Sequence, residues 1–192
     1  MDYAEAIFPD RTRIAGTTLL PMQVGHALLL RRLGSPLAAP TALPYSVTLG
    51  QAAVAVFVFS RTQTRAAKRI ESRVGQLQIS WLGLKLLLAQ ERNVQVLLNY
   101  VRRSWQGPTV FVPSDRKQNA QPGDGDALRT LVGTLTSRIG VTMQEAMELP
   151  LTQALWEVCG YWAQEGGLRF ASPQEQEIME FYKRKQHGET AT

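Results

Sequence analysis

The strongest constraint on the fold is a polar seam, Gly107 to Asp126, which reads GPTVFVPSDRKQNAQPGDGD and holds three prolines and three glycines. No regular element runs through such a stretch, so the chain must build its elements in two groups, one on each side. The groups differ in charge. Arg61–Arg103 carries nine Lys/Arg against two acids, Glu71 and Glu91, whereas Ser104–Thr192 carries eight against eleven. This division predicts a basic part over 1–106, a flexible linker over 107–126 and an acidic part over 127–192. A uniform enzyme surface has no use for the split; an adaptor that meets two different surfaces does.

Start and stop signals place helices on both sides. Pro21 suits a first turn and Gly34 a stop, with Arg31 and Arg32 complementing the dipole of the last turn. Thr48 and Gln51 have capping-box spacing, favouring a helix through Phe59. The stretch VAVFVF inside it is strand-like by propensity, and the eight-residue apolar run Ala52–Phe59 does not separate helix from strand by periodicity. The specific cap and the lack of a partner strand favour helix.

From Thr62 to Trp105 the pattern is helical, with Ala66, Ala67, Ile70, Val74 and Leu77 on an apolar face and Gly75 as the expected break. After the seam, Asp126 can cap Ala127–Arg138, Gly140 ends it, and Thr142 with Glu145 opens a short helix that Pro150 cuts off. A helix from Thr152 to Gln164 follows, and Ser172, Pro173 and Glu175 start the last one. No segment reads as a strand. The expected class is an all-α bundle of about six to eight helices.

Chemistry-bearing constellations are weak. One cysteine, Cys159, excludes an intrachain disulfide and suits a small buried hydrophobe. His26 in an apolar helix and His187 in a charged tail do not make a metal site, so no metal or cofactor is expected. Glu145 and Glu148 read as a capping acid and a surface acid rather than a catalytic pair. The start of the chain lacks a signal-peptide pattern, and the longest apolar run, Ala52–Phe59, is far below the ~20 residues of a membrane span. The expected compartment is cytoplasmic.

Arg61, Arg65, Lys68, Arg69 and Arg73 mostly step by three or four, so one helical face carries a positive stripe. A solvated face is the plain reading and a docking stripe for an acidic partner the functional one. Interleaved aromatics for base stacking are missing, and the segment Leu131–Tyr161 is too acidic and apolar to read DNA. Trp81, Trp105 and Trp156 are expected in the core, with exposed apolar surface on the last helices marking a partner groove.

Two stretches carry a resemblance. LPMQVGHALLLRRLGSP, Leu20 to Pro36, followed by the apolar helix ending at Phe59, resembles small proteins encoded among the tail genes of tailed phages and prophages. GVTMQEAMELPL, Gly140 to Leu151, is similar to the C-terminal portion of tail assembly chaperones. The resemblance implies a non-enzymatic role: coating a long, aggregation-prone tape-measure protein in the host cytoplasm until tail-tube subunits polymerise around it. The contact residues expected on this reading are Arg65, Lys68, Arg69 and Arg73 on one part and Trp156 and Trp162 on the other. Self-association is compatible with it. The alternatives from other classes are a structural virion component, such as a tail or baseplate part, and a basic nucleic-acid-binding regulator.

Overall fold

The computed structural model describes residues 12–38, 47–111 and 127–172, with 174–176 and 178–179 beyond them. Asp126, the seam from 112 onward, His187 and the end of the last helix lie outside these residues. The fold is all-α in its main elements. These are α1 (Val24–Arg32), a 3-10 turn (Pro36–Ala38), α2 (Leu49–Phe59), α3 (Gln63–Arg69), α4 (Arg73–Leu87) and α5 (Gln90–Ser104). After the seam come α6 (Ala127–Thr134), a π turn (Leu135–Ile139), α7 (Met143–Glu148) and α8 (Leu151–Gln164).

Two short antiparallel ribbons correct the expectation of no strands. β1 (Arg13–Ile14) pairs with β2 (Thr17–Thr18), and β3 (Val110–Phe111) pairs with β4 (Arg169–Phe170). Strands of two residues are too short to alternate. The first hairpin turns through Ala15 and Gly16, at φ 49° and 77°. Two successive left-handed residues make the turn whose twist suits a tight hairpin, but Ala-Gly is a weaker signal for it than Asn-Gly. The second ribbon gives the opening of the seam a regular structure: Val110 and Phe111 lie against Phe170 and Arg169, and Ala171 N–H donates to the Thr109 carbonyl at 2.9 Å.

Helix α2 is the hub. Gln51 N–H donates to Thr48 Oγ1 at 3.2 Å and Thr48 N–H to Gln51 Oε1 at 3.0 Å, the reciprocal cap its sequence signals. Helices α1, α3, α4 and α5 pack around it, burying Ala52, Ala53, Ala55, Val56, Phe57, Val58 and Phe59. A helix covered on every side is apolar all round, which is why VAVFVF mimics a strand.

The chain does break between Thr62 and Trp105, but ahead of Gly75. Helix α3 stops at Arg69, and Ser72 caps α4 by accepting the Gly75 N–H at 3.0 Å. Gly75 instead permits the close turn: a Cβ there would collide with the Arg69 carbonyl oxygen. Helix α1 likewise begins at Val24, not Pro21, because residues 22–24 are tied to residues 149–151. Val24 N–H donates to the Leu149 carbonyl at 3.0 Å and Leu151 N–H to the Met22 carbonyl at 2.6 Å. Gly140 closes the π turn with φ 83°, and Thr142 with Glu145 caps α7 as expected.

The residues before and after the seam share one hydrophobic cluster. Leu128, Leu131, Leu135, Ala146, Leu151 and Ala154 are buried in the same core as Val24, Leu30, Phe57 and Leu97. Thr152 Oγ1 adds a buried hydrogen bond to the Ser104 carbonyl at 3.1 Å.

Candidate functional site

Helix α4 has more large apolar side chains than one face can hold. Its buried row is Gly75, Ile79, Leu82 and Leu86, pressed against α2. A second row, Val74, Leu77, Trp81, Leu84 and Leu88, steps by three and four and faces solvent. Leu77 is 70% exposed, Leu84 67%, Leu88 89% and Trp81 55%. At 100° per residue the two rows lie about 150° apart on the helix, so α2 cannot cover both. The outer row has the 3-4 spacing of a coiled-coil seam.

This corrects two expectations. Trp81 is a surface residue, not a core one, and Val74 and Leu77 leave the apolar face they were assigned to. The break at Ser72 resets the helix phase, so spacing counted through Ile70 no longer points inward.

Along α4 itself the charged residues are one-signed. Between Arg73 and Leu88 the chain has no Asp or Glu, and Arg73 and Lys85 flank the row. Lys85 Nζ lies 3.5 Å from the Trp81 ring centroid, a cation–π contact that holds the indole against the helix. Arg65, Lys68, Arg69 and Arg73 are all exposed, the first three on α3 and the last at the start of α4. Glu71 approaches Arg32 at 3.9 Å, but both side chains are so exposed that the pair neutralises little.

Arg61 is different from the rest of its stripe. Its Nη1 donates to the Phe57 carbonyl at 2.9 Å and to Ser60 Oγ at 2.6 Å, and its Nη2 donates to Gln78 Oε1 at 3.0 Å. The guanidinium also lies 4.0 Å from the Phe57 ring centroid. Burial, then the nearby Arg69 charge, lower its pKa from the ordinary value. It ties the end of α2 to the flank of α4 and is structural.

The aromatic pair predicted on the C-terminal part is split in role. Trp156 is half-buried and stacks on Phe170, centroids 5.9 Å apart. Trp162 is 39% exposed and meets Tyr161 edge-on at 5.4 Å. Both are on α8, which packs on α5 and α6, whereas α3 packs on α1 and α2. The tryptophans and the basic cluster therefore occupy different layers.

Acid–base candidates resolve as structure. Glu145 Oε2 accepts from the Thr142 amide at 2.9 Å and its hydroxyl at 2.6 Å, and these bonds lower the Glu145 pKa. His26 is fully buried, and burial lowers its pKa to about 4. Cys159 is half-buried, and burial raises its pKa, so little thiolate forms near neutrality. Among the described residues no three His, Cys, Asp or Glu side chains gather as a metal site, and no helix is long and apolar enough to cross a membrane.

Sequence reasoning missed the outer row of α4. Its signal was present, since Leu77, Trp81, Leu84 and Leu88 keep heptad spacing, but a second apolar row on the same short helix hid it. No family model, no curated protein and no solved structure matches this chain.

Proposed function

We propose that this chain is a tail-assembly-chaperone-like protein that sequesters a hydrophobic, tape-measure-type client by docking one of its helices along the outer row of α4. The observation that carries the reading is that row: five large apolar side chains at coiled-coil spacing, exposed and outside the buried hydrophobic cluster. An exposed apolar strip of this kind on a soluble fold marks a contact surface. Its flanks select the occupant. With Arg73 and Lys85 beside it and Arg65, Lys68 and Arg69 nearby in the chain, the partner is an amphipathic helix whose polar edges carry Asp and Glu.

The two stretches that carry the family resemblance support the same reading. Leu20–Pro36 and Gly140–Leu151 lie on one another through α1 and α7, with backbone hydrogen bonds between residues 22–24 and 149–151. They form one scaffold across the seam rather than two unrelated patches. On α8, Trp162 offers a second apolar contact, and Trp156 stacks separately on Phe170. No bond is made or broken on the protein in this account.

The test is co-expression with the tape-measure-type protein of the same genome, followed by affinity purification and mass spectrometry of finished particles. The expected result is a soluble complex with the client and absence of this chain from particles. Presence at fixed stoichiometry in particles would instead make it a structural virion component. Retention of nucleic acid at low salt, lost steeply as salt rises, would make it a nucleic-acid binder.

A further inference from the structure

We infer that the corner where α1 and α3 end and α4 begins is a docking site for a cluster of Asp and Glu residues in a partner polypeptide. The inference rests on the reading above only in taking the partner to be a protein; what covers the outer row of α4 does not enter it.

Three elements bring cations to this corner. Arg32 stands in the last turn of α1, Arg65, Lys68 and Arg69 on α3, and Arg73 at the first position of α4; all five are exposed. Helix α1 packs on α3. The Arg32 guanidinium lies 3.9 Å from the Glu71 carboxylate, in the turn between α3 and α4, and Ser72 Oγ donates to the Arg69 carbonyl at 2.7 Å. Arg32 therefore joins a patch that the sequence placed on residues 65–73 alone, and Glu71 is the acid within it.

The fold does not ask for cations at two of these places. Arg32, Lys68 and Arg69 lie in last turns, where they complement the helix dipole. Arg65 and Arg73 lie in first turns, at the positive ends of α3 and α4, where Asp or Glu is favoured; neither first turn carries an acid. Cations held against the field of their own helices are the kind of broken local rule that marks a contact site.

The chemistry of the patch selects its occupant. Four of the five cations are arginines, whose planar fork pairs at two points with a carboxylate or a phosphate. Two observations favour the carboxylates of a protein over nucleic acid. From Arg61 to Leu77 the chain has no aromatic residue on which a base could stack. Beside Arg73 the surface turns apolar, with Val74 and Leu77 exposed, which suits the mixed side chains of a polypeptide and not a phosphate backbone. In the free chain Glu71 occupies Arg32 weakly, as an internal competitor for the site.

The test is fluorescence anisotropy of a labelled Glu/Asp decapeptide titrated with the full chain. Saturable binding is expected, and Arg65→Glu with Arg73→Glu should weaken it by about tenfold or more. Because the dipoles favour acids at both positions, the thermal midpoint of that variant should be unchanged or higher. Glu71→Gln should tighten binding by about twofold. The same charge change elsewhere, Arg129→Glu with Arg138→Glu on α6 and the π turn, should alter affinity by no more than about twofold. Leu84→Ser with Leu88→Ser, at the far end of α4, should bind the peptide as the parent does, so this site and the apolar row fail separately. Equal weakening by the Arg129, Arg138 variant would reduce the effect to net charge and overturn the site. So would a lowered midpoint for the Arg65, Arg73 variant, or no binding at all. A short DNA duplex or pyrophosphate that binds more tightly than the peptide would make the corner a phosphate site and overturn the choice of partner.

Discussion

His26 Nε2 lies 2.8 Å from the Arg61 carbonyl oxygen, and its Nδ1 accepts the Gln23 N–H at 3.1 Å. With Nδ1 accepting, the proton sits on Nε2 and donates to Arg61, which fixes one neutral tautomer. The ring joins the start of α1 to the chain leaving α2 and packs edge-on against Phe59, centroids 5.8 Å apart. A second proton would have no acceptor and would bring a charge into the core.

That geometry sets a pH dependence. Burial lowers the folded-state pKa to about 4 from an ordinary 6.5. As pH falls through 6.5 the unfolded chain takes a proton that the folded chain refuses, so stability declines until about pH 4 and this group then adds no further loss. The total is about 3 kcal/mol. A proton-exchange-resolved NMR titration checks it, with His187 as internal comparison: His26 should stay neutral through pH 5, and titration near 6.5 would contradict the account.

The cations of the basic segment should separate by role. Arg61→Ala removes three hydrogen bonds and a cation–π contact, and should cost about 1–3 kcal/mol in denaturant unfolding. Arg65→Ala on the exposed face should change stability by less than about 0.5 kcal/mol. Replacing Arg65, Lys68, Arg69 and Arg73 together by Glu should leave the fold intact and weaken client capture. Unchanged client solubility would remove the basic flank from the docking surface.

Two glycines are required by close approach. At Gly25 an added Cβ would stand 2.5 Å from Gln63 Cγ and 2.9 Å from the Met147 carbonyl oxygen, where α1, α3 and α7 meet. At Gly75 it would strike the Arg69 carbonyl. Gly25→Ala and Gly75→Ala should each destabilise by about 1–3 kcal/mol despite alanine's better helix propensity. A gain in thermal midpoint at either position would contradict the packing described.

The two rows of α4 should answer oppositely to substitution. Leu86→Ala, at a fully buried position against α2, should cost about 2–5 kcal/mol. Leu84→Ala, two residues earlier on the outer row, should cost under about 1 kcal/mol. Equal losses measured by chemical denaturation would mean that the outer row is packed within the chain.

Local signals were legible where one residue type does one job. Thr48 with Gln51, Thr142 with Glu145, and Gly140 announced their helix ends, and the structure has each of them. The all-α class followed from such signals. Tertiary choices were less visible. Nothing local told which apolar row of α4 meets α2, because Ile79, Leu82 and Leu86 compete on equal terms with Leu77, Trp81 and Leu84. The N-cap Ser72 has no acid or glutamine three residues on, so it gave no capping box, and the phase reset went unseen. Nor did the seam reveal that the elements on its two sides share a core, which depends on the pairing of residues 22–24 with 149–151.

The most direct measurement is capture of the tape-measure-type client by the Leu77→Glu, Leu84→Glu double variant beside the unmodified chain in co-expression. The account predicts a folded variant of unchanged thermal midpoint that no longer keeps the client soluble. A client that stays soluble and co-purifies with the variant as it does with the parent would contradict the assignment of α4 as the docking face.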